Sequence, residues 1–213
     1  KSLRTLQCGV HNSSGHNAYR ATVTESEERS TDPTTAGPPP VSPPAPAQRL
    51  GVLTVGLGAV SSTLIAGVEL AKAGIAAPVG ALTQMGTIRL GKRTDGRSPL
   101  IKDFVPLANL DDIVFGAWDP FPDDAYVAAQ RAGVLESGRH LEAISGALRS
   151  VQPMKAAFDR EYVKRLDGDN TIGTVSKRAM LEAIRADIAA FRDKHQLERV
   201  VMIWAASTEI FIE

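Results

Sequence analysis

Cysteine is almost absent from this sequence of 213 residues, in which Cys8 carries the only thiol. A single cysteine excludes an internal disulfide, so we expect a reducing, cytoplasmic location. No apolar run approaches the roughly 18 residues that a transmembrane helix needs, and we expect no membrane partner. The 24 Lys and Arg residues are balanced by 24 Asp and Glu residues and form no basic run, so we expect no nucleic-acid partner.

Patterns that bind metals are also missing. His11 and His16 have no acidic or cysteine residue at a suitable spacing. Residues 167–170 resemble half of a calcium loop, but the later ligands and the closing glutamate are absent. We therefore expect no metal site.

Proline is concentrated near the start of the chain, where residues 31–47 hold seven of the 13 prolines. Residues 1–48 lack the apolar surface that would offset the entropy of ordering them. We expect a disordered, partly polyproline-like and non-catalytic tail over residues 1–48, followed by one ordered domain over residues 49–213. The chain begins with Lys rather than Met and ends directly after a strand-like run, so we expect this domain to be incomplete.

The most informative stretch is a short apolar run followed by glycines and then by helix-like sequence. Residues 52–55 suit a buried strand, and Gly56-x-Gly58-x-x-Ser61 follows at once. Gly56 allows a tight turn, and Gly58 lets a pyrophosphate approach the backbone at the start of a helix. Residues 61–70 have helical spacing, and Gly74 ends the helix. The pattern predicts a dinucleotide loop, and the alternative is a purely structural strand-to-helix turn.

The next segment departs from the usual dinucleotide-binding pattern. We predict a second strand over residues 78–83, but no Asp or Glu follows it to hold the adenine ribose. A long loop over residues 86–97 comes instead, with four basic side chains. The four basic residues are Arg89, Lys92, Arg93 and Arg97. Their side chains could contact cofactor phosphates or simply form a solvated face.

A third strand is predicted over residues 112–118, and it places Asp119 at its carboxyl end. Ligands bind at that end of strands in open parallel sheets, so Asp119 is our candidate acceptor for a ribose hydroxyl. The alternative is an aspartate that caps a helix or forms a turn, because a helix is predicted over residues 125–132. Leu141, Ile144 and Leu148 indicate a further helix.

Pro153 interrupts the pattern, and a charged connection over residues 155–178 follows. An amphipathic helix is predicted from Ala179, with an apolar face formed by Leu181, Ile184, Ile188 and Phe191. A strand over residues 200–204 then leads to Ser207 and Thr208, whose hydroxyls are suitably placed for a ligand. This alternation predicts an α/β fold with a parallel sheet and flanking helices.

Five blocks of this sequence, taken in order, resemble the myo-inositol-phosphate synthase family in its bacterial-type branch. The blocks are residues 56–63, 83–91, 106–112, 116–119 and 206–209. The resemblance covers residues 50–213 and implies a Rossmann-like NAD-binding domain. It also accounts for the missing acid and for the long basic loop, since both belong to this family's version of the fold.

The resemblance implies an isomerase that converts D-glucose 6-phosphate to 1D-myo-inositol 3-phosphate, the first step of inositol and phospholipid-precursor synthesis. In the family's scheme, C5 is oxidised by hydride transfer to NAD, the ketone is enolised, the enolate closes onto the C1 aldehyde, and the ring ketone is reduced. The family also implies a cytoplasmic homotetramer.

The same resemblance assigns the cofactor-binding residues. They are Gly56, Gly58, Ala59, Val60 and Ser61 at the pyrophosphate, Asp119 at the adenosine ribose, and Ser207 and Thr208 beside the cofactor. The family's catalytic lysines are expected beyond Glu213, so the catalytic residues are unknown and residues 49–213 alone are expected to be inactive. The alternatives are a non-catalytic NAD-binding redox sensor and, after it, a plain hydride-transfer dehydrogenase.

Overall fold

The computed structural model describes residues 49–159, 161 and 168–206. The predicted tail over residues 1–48 lies outside the described residues, as do Ser207 and Thr208. The strands are β1 (Leu50–Val55), β2 (Ile113–Asp119), β3 (Pro153–Lys155) and β4 (Arg199–Trp204). The helices are α1 (Ala59–Lys72), α2 (Leu82–Met85), α3 (Ile101–Phe104), α4 (Ala125–Ala132), α5 (Ser145–Ser150) and α6 (Lys177–His195).

The four strands form one parallel sheet in the order β3-β2-β1-β4. Val55 at the end of β1 pairs with Trp118 of β2 on one side and with Trp204 of β4 on the other. The carboxyl ends of these three strands therefore lie side by side. The predicted α/β class with a parallel sheet is confirmed.

Helices cover both faces of the sheet, so the core has two parts. On one face, Val52 and Phe115 pack with Ile65 of α1 and with residues of α4 and α5. On the other face, Leu53 and Trp118 pack with Phe191 of α6. Burying each of these large apolar side chains contributes roughly 1.5–3 kcal/mol. The alternation of side chains along β1 thus determines which helix each residue contacts.

Local sequence explains where the longer helices begin and end. Asp124 caps α4 by accepting a 2.9 Å hydrogen bond from the backbone N–H of Val127, and Ser176 caps α6 in the same way. Gly74 follows α1 with φ +67°, a conformation that favours glycine. The predictions for α1 and α4 are confirmed, and α6 begins two residues earlier than expected.

The predicted second strand over residues 78–83 is wrong. Backbone bonds from Val79 to Ala77 and from Ala81 to Pro78 form turns, and α2 begins at Leu82. Val79 is 79% exposed, and it pairs with none of the strands in the described residues. Pro78 lacks an N–H group and Gly80 lacks a side chain to pack, so this segment had little to contribute to a sheet.

Three further predictions need correction. Residues 153–155 form β3, a three-residue strand that pairs with the end of β2, although Pro153 had suggested a break. A proline is tolerated there because it is the first residue of an edge strand. The helix around Leu141 and Leu148 is divided into short π, 3-10 and α segments, although both side chains are buried. Leu181 is 56% exposed and does not belong to the apolar face of α6.

Within the described residues, no helix is both long enough and apolar enough to cross a membrane.

Candidate functional site: a loop and helix N-terminus at the end of β1

Gly56 forms a tight turn directly after β1. Its φ of +93° lies in a region that side-chain-bearing residues rarely adopt. A methyl group on Gly56 would also lie 3.0 Å from the Cα atom of Ala206. The Gly56 N–H donates to the Trp118 carbonyl oxygen at 2.8 Å, which ties the turn to β2. The expected role of Gly56 in the turn is confirmed.

The helix that follows begins with N–H groups that have no acceptor within the helix, and its first two residues, Ala59 and Val60, are exposed. Gly58 is the residue before α1, and no side chain caps the helix there. The first turn contains Ala59, Val60 and Ser61, whose N–H groups have no acceptor within the helix. Val60 is 71% exposed, and a methyl group on Gly58 would meet no atom of the described residues within 4 Å. The helix N-terminus is therefore open, positively polarised and accessible to an anion.

Ser61 stabilises the glycine loop through a hydrogen bond from its side chain. Its side chain is buried, and its hydroxyl donates a 2.6 Å hydrogen bond to the Gly56 carbonyl oxygen. This contact explains why a serine is accommodated at a position where the common dinucleotide-binding pattern has a third glycine. Because the Ser61 hydroxyl is bonded to the turn and the residue is only 1% exposed, contact between Ser61 and the pyrophosphate stays a prediction.

The Asp119 carboxylate connects the end of β2 to the same loop. Its Oδ2 atom accepts a 2.6 Å hydrogen bond from the backbone N–H of Leu57, and Oδ1 accepts a 2.9 Å bond from the backbone N–H of Phe121. The second contact is that of a turn aspartate, one of the two alternatives from the sequence. Asp124, not Asp119, caps α4. Each carboxylate oxygen can accept a further hydrogen bond, so contact with a ribose hydroxyl stays a prediction.

The described part of the chain after β4 also reaches this loop. The Ala205 N–H donates to the Val55 carbonyl oxygen at 2.9 Å, and Ala206 lies against Gly56. The next two residues are the predicted cofactor neighbours Ser207 and Thr208, which lie outside the described residues. Their assignment stays a prediction.

The long basic loop folds back on itself as an irregular hairpin. Thr87 and Leu100 form an antiparallel bridge, and the Leu90 N–H donates to the Arg97 carbonyl oxygen at 2.9 Å. The side chains of its basic residues form no ion pair with the described residues, and three of them are exposed: Arg89, Lys92 and Arg93. These observations agree with a solvated face, and phosphate contact is untested.

Sequence reasoning missed Asn170, which the structure places at the carboxyl end of β2. Its side-chain amide donates to the Asp119 carbonyl oxygen at 2.8 Å and to the Met154 carbonyl oxygen at 3.1 Å. The only signal in the sequence was a polar run that also resembles half of a calcium loop. Among the described residues, no three His, Cys, Asp or Glu side chains are grouped as a metal site would require.

Comparisons with known proteins agree with this geometry. An NAD-binding family model described as myo-inositol-1-phosphate synthase matches residues 50–213. The chain is 46% identical over 165 residues to inositol-3-phosphate synthase 1 of Bacteroides thetaiotaomicron, covering 77% of this chain and 38% of the relative. It is 32% identical over 182 residues to inositol-3-phosphate synthase of Trypanosoma brucei brucei, covering 78% of this chain and 34% of that relative.

A solved structure is also similar. The crystal structure of inositol-3-phosphate synthase from Caenorhabditis elegans matches with a TM-score of 0.68 and 27% identity, over 76% of this chain and 35% of that chain. This match confirms the predicted Rossmann-like fold. The chain thus spans little more than a third of the length of these relatives.

Proposed function

This chain belongs to the myo-inositol-1-phosphate synthase family, and we propose that it forms the NAD-binding part of an enzyme that converts D-glucose 6-phosphate to 1D-myo-inositol 3-phosphate. NAD is the cofactor named by the matching family model. The observation that carries the proposal is the hydrogen bond between Asp119 and Leu57. It holds a carboxylate beside an open helix N-terminus, and dinucleotide-binding folds use these two kinds of group for the ribose and the pyrophosphate.

In the proposed complex, the N–H groups of the first turn of α1 bind the pyrophosphate. Support comes from the absence of a side-chain cap and from the open space above Gly58. The positive end of the helix dipole adds a favourable contribution of about 0.3–1 kcal/mol for an anion. Asp119 accepts a hydrogen bond from a hydroxyl of the adenosine ribose, while Ser207 and Thr208 lie beside the cofactor.

The role of these residues is to bind and orient the cofactor rather than to transfer protons. Bound NAD would supply a hydride acceptor that is regenerated in the same cycle, so the overall reaction would be redox-neutral. From the family resemblance we expect the catalytic lysines in a further part of the protein. We propose that residues 49–213 form the NAD-binding domain and that substrate binding and proton transfer need that further part.

Assembly and location are proposals of the same kind. The family resemblance favours a homotetramer. One cysteine in 213 residues favours a reducing compartment, for which we propose the cytoplasm.

A turnover assay on the complete gene product tests the proposed function. The protein is given glucose 6-phosphate and a catalytic amount of NAD, and inositol phosphate and NADH are followed together. We expect inositol phosphate to accumulate without net NADH. Net NADH formation would indicate a plain dehydrogenase, and bound NAD without any product would favour the redox-sensing module.

A further inference from the structure

Residues 168–172 lie across the carboxyl ends of β2 and β3, far along the chain from the glycine loop. The Asn170 N–H donates to the Pro120 carbonyl oxygen at 2.9 Å, and its carbonyl oxygen accepts from the Ala156 N–H at 2.9 Å. Ala156 and Thr171 form a parallel bridge that continues the pairing beyond β3. The backbone of Asn170 is therefore bonded to the segments that leave both strands.

The Asn170 side chain adds contacts with the strand ends themselves. Its Nδ2 group donates to the Asp119 carbonyl oxygen at 2.8 Å and to the Met154 carbonyl oxygen at 3.1 Å, with a weaker contact of 3.4 Å to Pro153. All three acceptors are backbone carbonyl oxygens, and an amide NH₂ group is a donor with two hydrogens. An aspartate of the same size would turn an acceptor towards them instead.

Gly168, two residues before Asn170, allows this segment to approach the end of β2 closely. A methyl group on Gly168 would overlap the Pro120 carbonyl oxygen, which is backbone and cannot move aside easily. Packing against the end of β2 thus explains why Gly168 and Asn170 occupy their positions.

The contacts of Asp119 extend this arrangement to the glycine loop. The Asn170 amide donates a hydrogen bond to the backbone carbonyl oxygen of Asp119. The Asp119 carboxylate in turn accepts a 2.6 Å hydrogen bond from the Leu57 N–H. A single residue therefore links the Asn170 amide to the loop that precedes α1. A change in the backbone position of Asp119 must also move its carboxylate relative to that loop.

We propose that Asn170 is a positioning residue for NAD binding, acting through Asp119 on the glycine loop and on the carboxylate assigned to the ribose. This inference rests on the proposed function, because it concerns the affinity for NAD. Asn170 does not contact the cofactor in this proposal. It acts by fixing the position of Asp119, which is proposed to contact the ribose.

A double-mutant cycle on the complete gene product tests the proposal. NAD dissociation constants are measured for the wild type, Asn170→Ala, Asp119→Ala and the double variant. We expect Asn170→Ala to weaken NAD binding about tenfold, the loss associated with about one well-formed hydrogen bond. In the Asp119→Ala background, Asn170 keeps its bond to the backbone carbonyl of residue 119, but the carboxylate that contacts Leu57 is gone. The same change should therefore alter the NAD dissociation constant less than about twofold.

Asn109→Ala is the matched control. Asn109 also uses its side-chain amide, which donates to Asp112 at 3.0 Å, but it precedes the amino end of β2. This variant should bind NAD as the wild type does. An unchanged dissociation constant in Asn170→Ala, or an equal loss in both backgrounds, would overturn the proposal.

Hydrogen exchange gives a readout that does not depend on NAD. Peptides that contain Leu57 should exchange faster in Asn170→Ala than in the wild type or in Asn109→Ala, and Asn170→Asp should show the same effect if the alanine variant does not fold. Unchanged exchange at Leu57 in the folded variant would contradict the proposal. If the wild-type protein does not bind NAD, the proposed function is contradicted instead. The exchange measurement would still test whether Asn170 acts on Leu57 through Asp119.

Discussion

The Oδ2 atom of Asp119 lies 2.6 Å from the backbone nitrogen of Leu57, which is 62 residues earlier in the chain. This hydrogen bond joins the end of β2 to the loop that follows β1. A charged acceptor makes the bond stronger than one between neutral groups. The shape of the glycine loop therefore depends on a residue that no local pattern around Gly56 reveals.

Gly58→Ala tests whether the space above the start of α1 is occupied by the pyrophosphate. Gly58 has φ −76°, which alanine adopts readily, and the added methyl group lies more than 4 Å from every atom in the part of the chain that the structure describes. We expect the thermal unfolding midpoint to change by less than about 2 °C. NAD affinity, measured by calorimetry, should fall at least about tenfold through steric conflict with the cofactor.

Gly67→Ala provides the matched control for that variant. Gly67 lies on α1 and is exposed, and a methyl group added to it would also meet no atom within 4 Å. It is two turns away from the helix N-terminus, so NAD affinity should be unchanged. Equal affinity losses in the two variants would contradict a pyrophosphate site at the start of the helix.

Gly56→Ala should lower stability rather than affinity alone. The φ of +93° strains any residue with a side chain, and the added methyl group would lie 3.0 Å from Ala206. We expect the free energy of unfolding to fall by at least about 1–2 kcal/mol, measured by urea denaturation. A Gly56→Ala protein as stable as the wild type would show that the turn differs from the one described.

Asp119→Ala removes the acceptor for two backbone N–H groups. Leaving Leu57 and Phe121 without this partner should cost about 1–3 kcal/mol of stability and should also weaken NAD binding. Asp124→Ala is the control, because it removes the cap of α4 at a cost of about 0.5–2 kcal/mol. The control should leave the NAD dissociation constant unchanged, and a similar affinity loss in both variants would refute the specific role of Asp119.

Asp187→Ala tests how α6 is held to the sheet. Trp118 is only 3% exposed, and its indole N–H donates to Asp187 at 2.9 Å. Removing the carboxylate leaves this N–H without its partner, so the free energy of unfolding should fall by about 1–3 kcal/mol. In a Trp118→Phe background, where the indole N–H is absent, Asp187→Ala should lower the free energy of unfolding clearly less than in the wild type. Additive costs in the two backgrounds would mean that the hydrogen bond contributes nothing measurable.

His195 should make stability depend on pH. Partial burial and the positive charges of Lys194 and Arg49 lower the pKa of His195 below its usual value. The unfolded chain therefore binds the proton more readily, so the free energy of unfolding should decrease as pH falls through the window just below pH 6.5. His195→Gln should reduce this decrease in urea denaturation at pH 7 and pH 5.5. An unchanged pH dependence would contradict the assignment.

The features that were predicted correctly from the sequence are those that short-range patterns determine. The strand before Gly56, the turn and α1 are adjacent in the chain, and Ile65 and Leu70 of α1 are buried as their helical spacing suggests, although Leu64 is 41% exposed. The family resemblance depended on blocks of this kind. Asp119 was identified because it directly follows a predicted strand.

The features that were missed depend on contacts between distant segments. β3 has only three residues and is stabilised as a strand by pairing with β2, so no periodic pattern could reveal it. Residues 78–83 are apolar enough for a strand, but in the described part of the chain they form turns and the start of α2, and they pair with no strand of the sheet. Asn170 contacts Asp119 across 51 residues, and a polar residue in a charged loop gives no indication of such a partner.

A structure of the complete gene product with NAD bound tests the central claim most directly. We expect the pyrophosphate to be hydrogen-bonded to the N–H groups of Ala59, Val60 or Ser61, and a hydroxyl of the adenosine ribose to donate to the Asp119 carboxylate. The bond from Leu57 to Asp119 should persist. NAD bound elsewhere, with the start of α1 exposed to solvent, would contradict this account.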